Sequence, residues 1–303
     1  MLLNNFQQIL TAAKNLPKKR VVVALAQDDD VIEAVLRANK DGLADFSLVG
    51  DKKKIYDIAE KLNGDISGCD IIKEMDYEKS IRVAVDMVSS GYAHILMKGM
   101  VQTPDLLRVV LEKESGLRTG GILSHLSILE VPNYHKMIII TDGGLNISPD
   151  IKQKAGIVQN AVEVAHALGN EMPKVAVLAA IELVNPAMQA TIDAALLSKM
   201  AERGQIKKCI IDGPLAMDNA ISKIAAQHKG IKSDVAGDAD ILLVPEINSG
   251  NILYKTLAFI AQAKSCGLVA GAKVPIVVTS RADSYETKLL SIAVASILQN
   301  KQV

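Results

Sequence analysis

The feature that most constrains this chain is a recurring alternation of short, β-branched apolar runs with amphipathic helical segments. The apolar runs fall at 21–26, 46–49, 94–97, 136–141, 175–181, 208–211, 241–244 and 276–279. Between them, helical periodicity marks 31–40, 81–90, 104–114, 151–168 and 187–203. Most of the apolar runs lack polar alternation, as expected of strands covered on both faces. Strand and helix in turn predict an α/β fold of mainly parallel sheets with right-handed crossovers. A length of 303 residues exceeds what one core usually supports, so two domains are expected.

One stretch breaks the rhythm. Two strand-like runs, 122–131 and 136–141, follow each other with a short polar turn and no helix between them. They predict an antiparallel element and a crossing between domains. The expected division is a discontinuous first domain of 1–122 plus 268–303, and a second of 123–267.

Charge narrows the function. The chain carries 34 basic and 34 acidic residues, with no basic stripe to hold a polyanion, so a nucleic-acid partner is not expected. Aromatic residues are only 3% and Trp is absent, which removes base-stacking platforms. No uncharged apolar run nears the roughly 18 residues of a membrane span, and the first fifteen residues read as an amphipathic helix rather than a signal peptide. Cys69, Cys209 and Cys266 are scattered and form no CxxC pair. A reducing cytoplasm is the expected setting, with neither a disulfide framework nor a metal site.

In open α/β sheets ligands bind beyond the carboxyl ends of the strands, so the turns after each apolar run hold the candidate chemistry. Four stand out. Asn248, Ser249, Gly250 and Asn251 follow the run ending at Val244 and precede a helix expected from 252. Free backbone amides at a helix start, with a hydroxyl and an amide beside them, suit an anion, although capping by Asn248 or Ser249 explains the same residues. Ser280 and Arg281 leave the run 276–279 together, and a guanidinium fork fits phosphate oxygens. Asp283 and Glu286 follow with capping-box spacing. Lys98 and Thr103 lie in a turn before Pro104, with Arg108 one helical turn further on. Asp142 opens an Asp-Gly-Gly turn. The chain has no GxGxxG, Walker A, HExxH or GxSxG motif, and its five histidines are dispersed.

Taken in order, these turns resemble the phosphate acetyl/butyryltransferase family, most closely its butyryl branch. The most specific stretch runs from Ser233 to Lys255 and holds Pro245, Asn248-Ser249-Gly250-Asn251 and Tyr254-Lys255. Asp105-Leu106-Leu107-Arg108, Asp142 with Asn146, Val184-Asn185-Pro186, Asp212-Gly213-Pro214 and Ser280-Arg281 support it. The resemblance implies two α/β domains arranged as in isocitrate and isopropylmalate dehydrogenases, with the active site in the interdomain cleft, and a homo-oligomer, at least a dimer. It implies reversible transfer of an acyl group between coenzyme A, as a substrate, and phosphate, with no tightly bound cofactor. The family's catalytic side chains are expected at Ser280, Arg281 and Arg108. Asn248–Asn251, Lys98, Thr103 and Asp142 are expected to bind phosphate or substrate. The acetyl-type enzymes carry an aspartate, taken as the thiol base, where this chain has Thr287. Glu286 beside it is the candidate base, against its capping role. Butyryl or branched short-chain substrates are expected ahead of acetyl. Rival readings are a phosphate acetyltransferase, a metal- and NAD-dependent decarboxylating dehydrogenase, and a non-catalytic CoA- or phosphate-binding regulator.

Overall fold

The computed structural model describes residues 2–301 apart from 115 and 281. Its chain divides into two compact units. Phe6–Gly121 with Cys266–Val303 form the first, and Met1–Asn5 with Ile122–Ser265 the second.

The first unit begins with helix α1 (Phe6–Lys14), followed by β1 (Lys19–Ala24), α2 (Asp29–Lys40), β2 (Ala44–Gly50), α3 (Lys52–Lys61), β3 (Asp70–Lys73), α4 (Tyr77–Ser89), β4 (Ile95–Lys98) and α5 (Thr103–Val110). Aspartates start three of these helices: Asp28, Asp51 and Asp76 each accept amide hydrogens of the first turn. In the second unit come β5 (Ser124–Glu130), β6 (Ile138–Thr141), α6 (Ile151–Ala167), β7 (Lys174–Leu178), α7 (Gln189–Glu202), β8 (Ile210–Leu215), two short helices α8 (Met217–Ile221) and α9 (Lys223–His228), β9 (Ile241–Leu243) and α10 (Ile247–Lys255). A π-helical turn, Thr256–Ile260, prolongs α10. The chain then returns through β10 (Lys264–Ala270) and β11 (Ile276–Val277) to the closing helix α11 (Tyr285–Lys301).

In the first unit the strands run in the order β3-β2-β1-β4-β11-β10. All neighbours are parallel except β10 and β11. The central strand explains its own sequence: Val21, Val22, Val23 and Ala24 are wholly buried, so no polar residue interrupts the run. In the second unit the order is β5-β6-β9-β7-β8, parallel except for β5 against β6. The helix-free break in the sequence is that antiparallel pair, with Leu126 opposite Thr141 and Leu129 opposite Ile138. Ile138, Ile140, Ala176, Leu242 and Val244 form one cluster beneath it. Each large apolar side chain so buried contributes on the order of 2 kcal/mol.

Candidate functional site

In the second unit, β6 and β9 are parallel neighbours, so the turns at their carboxyl ends emerge side by side. Asp142 is 2% exposed and shapes the first turn. One of its oxygens accepts the amides of Gly144 and Leu145, both at 2.9 Å. The other accepts from His125 N at 3.1 Å, Asn146 N at 3.2 Å and Asn146 Nδ2 at 2.6 Å. A carboxylate with that many donors fastens its loop. The second turn meets the first where Asn251 Nδ2 donates to the Gly143 carbonyl at 3.2 Å. There Gly143 and Gly250 pack backbone against backbone, which only glycines permit. Asp142 and Asn248–Asn251 are therefore brought together by the fold.

The helix start differs from expectation. Helix α10 begins at Ile247, so Asn248–Asn251 form its first turn instead of preceding it. Its cap is Glu246, whose carboxylate accepts Asn248 N at 2.8 Å and Ser249 N at 2.7 Å. Gly250 N donates to the Glu246 carbonyl at 3.2 Å, as does Ser249 Oγ at 2.8 Å. The amides expected to be open to an anion thus already hold one, the chain's own. Burial pushes the Glu246 carboxyl up, but the amides and side chains of Asn248 and Ser249 outweigh it and leave the group below its ordinary value. Glu246 carries no cap signal in the sequence, because Asn and Ser are the commoner caps.

In the first unit, three more carboxyl ends converge. Gly99 N donates to the Ala24 carbonyl at 3.0 Å and Met100 N to the Leu25 carbonyl at 2.8 Å. A β-carbon on Gly99 would lie 2.2 Å from the Leu25 oxygen, so the turns after β1 and β4 close on each other only with glycine there. A small cavity of about 30 Å³ sits beside them, lined by Asp28, Lys98, Gly99, Thr279, Ser280 and Lys288 among others. Lys98 and Ser280 are thereby brought together, Lys98 buried and Ser280 exposed. Ser280 N donates to an Asp283 carboxylate oxygen at 2.7 Å, and Ala282 N to Ser280 Oγ at 3.3 Å. Asp283 therefore serves this turn and not a capping box with Glu286. Ser284 occupies the capping position, accepting Thr287 N at 3.4 Å. Glu286 is exposed in the first turn of α11. Arg281 lies outside the described residues.

Thr103 opens α5, tied down through its neighbours: Gln102 N donates to Tyr77 Oη at 2.8 Å, and Tyr77 Oη to Asp105 at 2.9 Å. Arg108 is an exposed helix residue, reaching Glu78 at 3.4 Å and Glu112 at 4.0 Å. Among the described residues no group of three or more His, Cys, Asp and Glu side chains is placed to hold a metal ion, and no helix is long and apolar enough to cross a membrane.

The family described as "Phosphate acetyl/butaryl transferase" matches residues 5–82 and 72–296. The phosphate butyryltransferase of Clostridium beijerinckii is 49% identical over 294 residues, covering 97% of each chain. A phosphate acetyltransferase of Thermotoga maritima is 48% identical over 279 residues, 92% of this chain and 95% of its own. Among solved structures, a branched-chain phosphotransacylase from Enterococcus faecalis superposes with a TM-score of 0.81 at 34% identity, over 93% of this chain and 99% of its own. A match over nearly the whole length, in sequence and in fold, makes this chain a member of the phosphate acetyl/butyryltransferase family.

Proposed function

We propose that this phosphate acyltransferase acts on butyryl or branched short-chain groups: acyl-CoA plus phosphate gives acyl phosphate plus CoA, reversibly. The observation that carries this is the 49% identity to a phosphate butyryltransferase over 97% of both chains. The branched-chain phosphotransacylase fold and Thr287, in place of an acetyl-type aspartate, support the same preference. Acetyl is the second reading, favoured by the 48% identity to the Thermotoga acetyltransferase.

In the forward direction a phosphate oxygen attacks the thioester carbonyl, a tetrahedral oxyanion forms, and the C–S bond breaks to release CoA thiolate. In reverse, the thiolate attacks the acyl phosphate and phosphate leaves. A free thiol with pKa near 8.5 is only a few per cent thiolate at neutral pH, so the reverse step needs a base or a positive field. Ser280 supplies a hydroxyl donor to the oxyanion and Arg281 holds phosphate, roles carried by the resemblance. Lys98 shares Ser280's cavity wall and serves the same anion. Ser249, Asn251 and Asn248 contact substrate from the α10 start, with Asp142 and Gly250 positioning them. Thr103 and Arg108 complete the set on α5, and Glu286, exposed beside Thr287, is the candidate base.

Coenzyme A is a substrate in this scheme, and the setting is cytoplasmic, where Cys69, Cys209 and Cys266 remain thiols. The working form is a homo-oligomer, at least a dimer. The surface of the α10 run supports that: Ile252, Phe259 and Ile260 are 65%, 60% and 80% exposed, an apolar outcrop of the kind that marks an interface. The test is CoA release from acetyl-, propionyl-, butyryl- and isobutyryl-CoA, with and without phosphate. Phosphate-dependent release, fastest with the four-carbon groups, is expected. Release that ignores phosphate would overturn the reaction, and acetyl as best substrate would overturn the preference.

A further inference from the structure

Lys288 is an unusual charge for its place in the fold. It sits in the second turn of α11, 3% exposed, and its ammonium donates to the carbonyl oxygen of Asp283. Among the described residues no carboxylate oxygen lies within 4.0 Å of it. The contrast is Lys154 in the second unit, equally buried but held by Asp193 at 2.6 Å. A buried ammonium whose partner is a neutral carbonyl is costly, because the lost hydration is not returned by an opposite charge. An anion that reached it would return that missing charge.

Its surroundings favour the anion. Lys288 lines the cavity that Lys98, 7% exposed, and Ser280 also line. The third charged group on that wall is Asp28, whose carboxylate is engaged as the α2 cap, accepting Val31 N at 3.0 Å. Of the three charged side chains that line the cavity, two are buried lysines and one is a capping aspartate, with the Asp283 carboxylate close by on Ser280 N. The ammonium is also wired to the turn that carries Ser280: Lys288 Nζ to the Asp283 carbonyl, Asp283 carboxylate to Ser280 N, Asp283 N to the Ser280 carbonyl at 3.2 Å. An anion drawn to Lys288 therefore arrives beside the Ser280 hydroxyl.

We propose that Lys288, with Lys98, forms a buried cationic wall that takes the phosphoryl group, whether of inorganic phosphate or of the acyl phosphate. This rests on the phosphate acyltransferase reading, and it assigns to Lys288 a binding role in place of the structural post that its burial suggests. It also explains how the family's chemistry is served where Thr287 stands in the aspartate position: the anion's charge, and any negative charge that builds next to it, meets a fixed cation.

The test is Lys288→Met, with inorganic phosphate as the probe. A structural lysine would destabilise the protein when removed. An anion-binding one leaves the phosphate-free protein with a melting temperature at or above that of the unaltered chain, while the rise in melting temperature that phosphate produces is lost. In CoA release, KM for phosphate should rise tenfold or more while KM for acyl-CoA stays within twofold. Lys288→Gln repeats both readings if methionine is not accommodated, and Lys288→Arg, which keeps the charge, should recover part of the phosphate response. A persisting phosphate-induced shift in Lys288→Met or Lys288→Gln, or a phosphate KM within twofold, overturns the proposal. An unaltered protein that shows no phosphate-dependent CoA release would instead overturn the reaction itself, and the thermal shift keeps the two failures apart.

Discussion

Gly143 and Gly250 meet with no side chain between them: a β-carbon on Gly250 would lie 2.7 Å from the Gly143 Cα, and one on Gly143 would lie 2.8 Å from the Gly250 carbonyl carbon. The atoms in the way are main chain, which cannot swing aside. Gly250→Ala should therefore cost about 1–3 kcal/mol by overpacking, and it should lower kcat/KM because the Asp142 loop is pushed off the α10 start. Denaturant unfolding and CoA release on the same preparation check this. Unchanged stability would show that the two turns do not bear on each other.

Ser280 gives the opposite expectation. It is exposed, and its hydroxyl accepts only a 3.3 Å bond from Ala282 N among the described contacts. Ser280→Ala should leave stability within about 0.5 kcal/mol. If the hydroxyl supports the oxyanion, turnover should fall about a hundredfold. A fall in turnover matched by a fall in melting temperature would point to a structural role.

The residues that announced themselves in the sequence were those whose surroundings are uniform. Strand β1 is buried on both faces and reads as one apolar run, and the antiparallel pair β5–β6 showed as two runs without a helix. Strand β3 did not show, because Asp70–Lys73 is a four-residue edge with both ends exposed. Strand β10 did not show either: Ser265, Cys266 and Gly267 give it no β-branched signature. The helix α11 hides for a different reason, since burial around most of its circumference leaves no polar stripe to set its period. At the site, the turns were legible as turns, but their wiring was not. That Glu246 would fill the α10 amides, or that Lys288 would be buried, depends on which side chains fold back, and no spacing rule encodes that.

Among the described residues, Lys154 and Asp193 form the one lysine–aspartate pair whose side chains are both under one-tenth exposed, at 7% and 8%. Gln189 Nε2 adds a bond to the other Asp193 oxygen at 2.8 Å. Removing one partner strands the other charge, so Lys154→Met or Asp193→Leu alone should cost about 3–5 kcal/mol. The double change to apolar residues should cost far less than the sum. A double-mutant cycle in urea measures it, and simple additivity would show that the pair does not act as a unit.

The cysteines bear on the route. Burial pushes the Cys69 thiol up to about 11, with Asp65 and Asp45 adding to it, and burial alone takes Cys209 up to about 11. Neither is a thiolate near neutral pH, so neither suits a covalent acyl intermediate. Replacing Cys69, Cys209 and Cys266 together with serine should leave a folded protein with most of its turnover. Lost chemistry in a folded triple variant would replace direct transfer with an acyl-enzyme.

Asp238 belongs to the stretch that most strongly carries the family resemblance, yet its work is structural. Its carboxylate meets Lys174 Nζ at 2.6 Å, His135 Nε2 at 2.8 Å and Lys136 Nζ at 3.1 Å. These groups lie at the amino ends of β6, β7 and β9, whereas ligands are expected at the carboxyl ends. Burial raises the Asp238 carboxyl, but the three donors outweigh it and hold the group well below its ordinary value. A carboxyl with a depressed folded pKa stabilises above its unfolded value, near 3.9, and that stabilisation fades as pH falls further. The protein should therefore lose stability steeply below about pH 4. Asp238→Asn should lower stability at pH 7 by about 2–4 kcal/mol and flatten that acid slope, while KM for phosphate stays unchanged. Unfolding free energies from pH 3 to 7 decide the matter: an acid slope as steep in Asp238→Asn as in the unaltered chain would mean that other carboxylates carry it.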